Sequence, residues 1–207
     1  FYPYKIANED FDDELAFEKH GGEFYPDQLD DWRRNNVNLI IRELSHTIKR
    51  IKPWVQFGIS PFGVWRNKSD DPRGSNTQAG QTNYDDMYAD ILLWMHNDWL
   101  DYILPQAYWH IGHEKADYKS IVEWWADNSF GTNLYIGHGL YRMGSKNRDP
   151  AWSIQNPTEI EKQLNLNNSI QQIKGSVYFS AKTFMNNPRK IDEILFDKYY
   201  SYPALQP

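Results

Sequence analysis

The chain has 207 residues, 40% of them hydrophobic and 24% charged, enough for one substantial core or two small ones. Its net charge of -6 argues against a binder of nucleic-acid backbone, which needs a basic surface. The absence of cysteine excludes disulfides and thiolate chemistry, and no apolar run is long enough to cross a bilayer. Aromatic residues reach 16%, with nine Trp and fourteen Tyr, types that line sites where an apolar face meets a hydroxyl-bearing ligand.

Phe1-Tyr2-Pro3-Tyr4 reads as the exit of a buried strand. Residues 5 to 26 are polar and carry Gly21-Gly22, which predicts a long loop with one helical turn near Asp12 to Lys19. A helix is predicted from Pro26 to Lys52. Leu29, Trp32, Asn36, Ile40, Leu44, Ile48 and Ile51 recur on one face, Val37 and Ile41 widen it, and Arg33, Arg34, Arg42 and Lys49 fall opposite. Pro53 stops that helix, and the alternation of Val55 to Ser60 gives a first strand. The polar stretch Asn67 to Asn83 is a loop, and Tyr84 to His96 is a second helix. A second strand runs from Tyr102 to Pro105 and extends to Tyr108. A third helix follows at Tyr118 to Asp127, capped by Asp117. Leu134 to His138 is the third strand. Asn156-Pro157-Thr158-Glu159 has the pattern of a capped helix start, with the helix reaching Asn168. Gly175 to Ser180 is the fourth strand, Arg189 to Lys198 the last helix, and a Pro-rich tail closes the chain.

Four strands that each lead into a helix, without a linker, imply a single α/β domain over residues 1–207, with a parallel sheet and right-handed crossovers. Four such units are half of an eightfold barrel.

Three segments carry a resemblance. They are Asp31-Trp32-Arg33-Arg34-Asn35-Asn36-Val37-Asn38, Phe57 to Arg66 (FGISPFGVWR), and Trp99 to Trp109 (WLDYILPQAYW). Together they resemble the glycosyl-hydrolase-like family formerly called DUF187, bacterial lipid-anchored or secreted proteins. That resemblance implies a (β/α)8 TIM barrel, of which this chain would be the carboxyl-terminal half, strands five to eight. It places Phe1 to Tyr4 at the end of the fourth barrel strand, with an acidic pair before residue 1. It also implies a glycoside hydrolase acting on polysaccharide, such as bacterial glycan strands, in an extracytoplasmic or cell-envelope setting. The alternative is a saccharide-binding or envelope structural protein without chemistry. On this view the fragment lacks its main catalytic carboxylate. An open half-barrel would be completed by a second copy or by a separate amino-terminal half.

Most glycosidases use two carboxyl groups, yet no predicted strand ends in one. The ends read Ser60-Pro61, Gln106, His138 and Ser180-Ala181-Lys182. Asp70, Asp71, Glu114 and Asp149, and the run Glu9, Asp10, Asp12, Asp13 and Glu14, read first as solvated charge. For substrate binding, Trp65 offers a face for a sugar ring and Arg66 a donor fork, with Asn67 fixing their loop. Gln106 offers donor and acceptor to hydroxyls, and Tyr108 and Trp109 alternate beside it. His138 is a candidate for substrate binding or proton transfer and equally for a packed structural role, and Lys182 either reaches the site or sits on its rim. His110 and His113 have metal-like spacing without a third ligand, and no nucleotide fingerprint is present. No metal, cofactor or nucleic acid is therefore expected.

Overall fold

A computed structural model describes residues 11–143, 149–153 and 159–202. Four strands form one parallel sheet in the order β1-β2-β3-β4, with β1 at Gly58–Ile59, β2 at Tyr102–Ile103, β3 at Asn133–His138 and β4 at Ile173–Tyr178. Helices α1 (Glu14–His20) and α2 (Leu29–Ile51) precede β1. α3 (Ile91–His96), α4 (Tyr118–Asp127) and α5 (Glu159–Asn168) lie between successive strands, and α6 (Ala181–Asn186) and α7 (Ile191–Lys198) follow β4. Strands therefore alternate with helices as the sequence predicts. Phe1 to Tyr4, Glu9, Asp10, Asn156 to Thr158 and the Pro-rich tail lie outside the described residues.

β1 and β2 are shorter than expected. Their regular pairing stops at Pro61 and Pro105, which have no N–H for a ladder. The chains stay parallel beyond it, because Gln106 N–H reaches Pro61 O (3.0 Å) and Gly137 N–H reaches Pro105 O (2.9 Å). Val55, expected to open β1, is exposed instead. α3 starts seven residues later than predicted. Asp90 caps it through Leu93 N–H, while Asn83 and Asp85 before it bond to the loop after β1. α6 has no predicted counterpart.

The sheet buries Ile103, Leu134 and Ile136 against α3 and α4, whose Ile91, Trp94, Met95, Ile121, Val122 and Trp125 complete the main core. Trp125 also donates from Nε1 to the Gly63 carbonyl at 2.7 Å, which ties α4 to the chain leaving β1. A second cluster, Leu140, Ile160, Leu164, Ile191 and Leu195, packs α5 and α7 beyond β3. On the sheet's other face the Tyr102 and Tyr135 rings meet edge-on at 5.9 Å, and each covers a glycine of a neighbouring strand, Gly58 and Gly175. Among the described residues β1 and β4 each have one neighbour, so the sheet is open. No described helix is long and apolar enough to cross a membrane.

The face α2 turns to the core keeps Trp32, Val37 and Ile41 of the predicted stripe and is rotated away from the rest. Trp32, Arg33, Val37, Ile41 and Ser45 are buried, whereas Ile40, Leu44 and Ile51 are exposed. Arg33 can be buried because its guanidinium bonds to Asp13 (2.8 Å from Nε) and to the Tyr88 hydroxyl (2.8 Å). At the far end of the helix, Lys49 pairs with Asp101 at 2.7 Å, and Asp101 also accepts the Phe57 N–H, fixing the entries to β1 and β2.

His138, the last residue of β3, is fully buried. The Gln163 amide nitrogen donates to Trp109 O (3.0 Å) and to Glu159 Oε1 (2.9 Å), so its oxygen faces His138 Nδ1 at 2.9 Å. Nδ1 therefore carries the imidazole proton. Nε2 then accepts from the Ser176 hydroxyl (2.9 Å) and the Asn167 amide (3.3 Å), whose oxygen accepts from the Tyr118 hydroxyl (2.9 Å). One neutral histidine thus joins β3, β4, α4 and α5. Burial lowers its pKa from 6.5 to about 4, and a second ring proton would confront two donors.

Two outcomes follow for stability. Replacing Trp125 by Phe strands the Gly63 carbonyl and leaves part of the indole's volume unfilled. Urea unfolding should show a loss of about 1–3 kcal/mol with helix content unchanged. For His138 the folded-state pKa is depressed, so the unfolded chain binds more protons between pH 4 and 6.5. The stability tied to the neutral ring is complete above pH 6.5 and is lost as pH falls through 4, by on the order of 3 kcal/mol. His113, also lowered by burial, adds with the same sign, while Asp90 and Glu159, raised by burial, act oppositely. Comparing His138→Gln with the native chain at pH 7.5 and 4.5 isolates the His138 share. The variant should lose less stability on acidification, and an equally steep loss would contradict this assignment.

Candidate functional site

Beyond the carboxyl ends of the four strands the chain segments surround an open cleft of about 470 Å³. Five aromatic side chains line it: Phe62 after β1, Tyr108 and Trp109 after β2, Tyr141 after β3 and Phe179 after β4. The polar lining is Ser60, Gln106 and Arg142. Trp109 stands edge-on to Phe62 (5.4 Å between centroids, 88°), and Tyr108 lies near Phe179 (6.0 Å, 27°) and edge-on to Tyr141 (6.0 Å, 84°). The Gln106 amide donates to the carbonyl and hydroxyl of Ser60 at 3.1 and 3.3 Å, which orients it. Close approach of the walls depends on glycine at two places. A Cβ on Gly63 would lie 2.6 Å from the Trp109 ring, and one on Gly139 would lie 3.1 Å from Tyr108 Cβ. Flat apolar faces beside a few oriented polar groups suit a ligand with C–H faces and hydroxyl edges.

The structure brings Gln106, Tyr108 and Trp109 together in this cleft and leaves the other expected site residues outside its lining. Trp65 is 1% exposed. Its ring stacks on Trp124 (5.6 Å, 12°) and meets Tyr84 edge-on, so its faces serve the core and offer no platform to a sugar. The Arg66 fork is engaged by Asp85 (2.9 and 2.7 Å) and by Asp71 (3.0 Å). Asn67 is buried. Its amide donates to Ala79 O (3.0 Å), and its oxygen accepts Ala79 N–H (2.8 Å) and the Thr77 hydroxyl (3.0 Å). These residues lock the polar loop after β1 into a set of internal bonds. His138 is held as the neutral network residue described above, and Lys182 is exposed on α6.

The loop carboxylates are mostly paired. Asp71 is held far below its usual pKa, first by hydrogen bonds from Arg73, and Asp149 bonds to His110 Nδ1 at 2.8 Å. Asp13 is paired with buried Arg33 and is not a solvated charge. His113 Nδ1 accepts the N–H groups of Lys115 and Ala116, and the described residues contain no cluster of three metal-type ligands. Sequence reading misses Ser60, Phe62, Tyr141, Arg142 and Phe179 as lining. The available signal is position, since each follows or ends a strand of a parallel sheet, where ligand sites form.

Comparison with known proteins agrees with this picture. The family model described as "Glycosyl hydrolase-like 10" matches residues 1–154. The chain is 46% identical to "Glycosyl hydrolase YngK" of Bacillus subtilis over 209 residues, 100% of this chain and 40% of that protein. It is 43% identical to "Glycosyl hydrolase DigH" of Escherichia coli K12 over 181 residues, 86% of this chain and 40% of the relative. The chain thus spans about 40% of the length of these curated relatives. The expected membership, in the carboxyl-terminal half of the lipoprotein group formerly called DUF187, is corrected by these matches. The model that fits carries the description Glycosyl hydrolase-like 10, and the matched relatives are named as glycosyl hydrolases across most of the chain. The chain belongs to the Glycosyl hydrolase-like 10 family.

Proposed function

We propose that the aromatic cleft binds a saccharide and forms part of the substrate groove of a glycoside hydrolase that cleaves a polysaccharide. The observation that carries this reading is the meeting of Tyr108, Trp109 and oriented Gln106 at the carboxyl ends of a parallel sheet, in a chain of glycosyl-hydrolase-like lineage. The four βα units are read as part of a (β/α)8 barrel. Exposed apolar side chains support that reading: Ile40 and Leu44 on α2, Trp54 ahead of β1, Val177 on the edge strand β4 and Phe179 just after it. Bacterial glycan strands are the favoured substrate, and a cell-envelope setting belongs to the same proposal.

Among the described residues lining the cleft none is Asp or Glu, so hydrolysis would draw its carboxylates from outside this lining. The same observation supports a second reading, a saccharide-binding protein without chemistry.

The test is reducing-end release by the full-length protein from peptidoglycan and from plant and algal glycans. Release from peptidoglycan is expected. Tyr108→Ala and Gln106→Ala should each lower kcat/KM by about tenfold or more, given the ~1–3 kcal/mol that such contacts carry. Saccharide binding without release favours the second reading, and neither binding nor release from any glycan overturns both.

A further inference from the structure

The loop after β2 is irregular, yet four consecutive residues in it are each tied to a side chain. Trp109 O accepts from Gln163 Nε2 (3.0 Å), and His110 Nδ1 bonds to Asp149 Oδ2 (2.8 Å). Ile111 N–H donates to Glu159 Oε1 (2.8 Å), and Gly112 N–H to Asp117 Oδ1 (2.6 Å). Two of these anchors, Glu159 and Gln163, come from α5, which contributes nothing to the cleft lining. They are 3% and 0% exposed. A carboxylate and an amide are costly in such a position unless their partners are fixed. Here the partners are two backbone groups of the loop, the bond between Gln163 and Glu159 themselves, and His138.

We propose that Glu159 and Gln163 are positioning residues: they hold the backbone of residues 109–111 so that the Trp109 ring stands against Phe62 as a preformed wall of the cleft. The role in ligand binding rests on the reading of that cleft as a saccharide groove; the role in placing Trp109 does not. An apolar residue at 159 would fill space on α5 but leave the Ile111 N–H without its acceptor, and the wall would have to be ordered by the ligand at a cost in affinity. A glutamine at 159 keeps an acceptor oxygen in the same place and should keep the wall.

The experiment uses the full-length protein carrying 5-fluorotryptophan, with 19F resonances assigned through Trp109→Phe and Trp65→Phe. Glu159→Leu should shift or broaden the Trp109 resonance and leave that of Trp65, in the main core, unmoved. Glu159→Gln should reproduce the native spectrum. Binding of the N-acetylglucosamine tetrasaccharide should weaken about tenfold in Glu159→Leu and less than twofold in Glu159→Gln. An unmoved Trp109 resonance in Glu159→Leu, equal movement of both tryptophans, or a Glu159→Gln spectrum like that of Glu159→Leu would each overturn the proposal. Amide hydrogen exchange of the native protein gives a check that needs no variant. The Ile111 N–H should be strongly protected, and exchange as fast as an exposed loop amide would overturn the proposal too. A native protein that binds no tetrasaccharide counts against the saccharide reading alone, because the 19F and exchange readouts need no ligand.

Discussion

A buried imidazole with both nitrogens satisfied sets the terms for the upper half of this molecule. His138 meets an acceptor at Nδ1 and donors at Nε2, a combination that only the neutral tautomer can match. Ser176 must then sit beside it on β4, Asn167 and Gln163 must come from one face of α5, and Tyr118 must reach across from α4. The requirement reaches the cleft through a single amide. Gln163 serves His138 with its oxygen and Trp109 with its nitrogen, so the packing of β3 on α5 and the position of the aromatic wall are one problem with one solution.

The same economy explains the loop after β1. Trp65, Arg66 and Asn67 have the chemistry expected of a ligand site, and their ring faces, guanidinium and amide are used internally. An indole stacks on another indole, a guanidinium bridges two carboxylates, and an amide staples two turns. The chain leaving β1 is thereby rigid where it passes under Gly63, whose missing side chain admits Trp109. Ligand-like residues can support a site from behind, and their neighbours Phe62 and Ser60, with plainer chemistry, form its surface.

Much of the fold was legible because periodicity and punctuation are local signals. α4 with its Asp117 cap, the body of α2 and the order of the four strands follow directly from the sequence. The face of α2 was legible only in part. Arg33 is polar in any hydropathy pattern, and its burial depends on partners such as Asp13, Asp30 and the distant Tyr88. The lengths of β1 and β2 were overestimated because the alternation at β1 begins at Val55, ahead of regular pairing, and that at β2 continues past Pro105. Of the cleft lining, Gln106, Tyr108 and Trp109 could be singled out from sequence because they follow a strand directly. Tyr141, Arg142 and Phe179 required knowing how the four strand ends converge, which no single segment encodes.

The central claim is that this convergence makes a sugar site, and a crystal structure of the full-length protein with a bound glycan oligosaccharide tests it most directly. The account predicts a sugar ring against Tyr108 or Trp109, with the Gln106 amide hydrogen-bonded to one of its hydroxyls. An ordered oligosaccharide seated elsewhere, with these three side chains untouched, would contradict it.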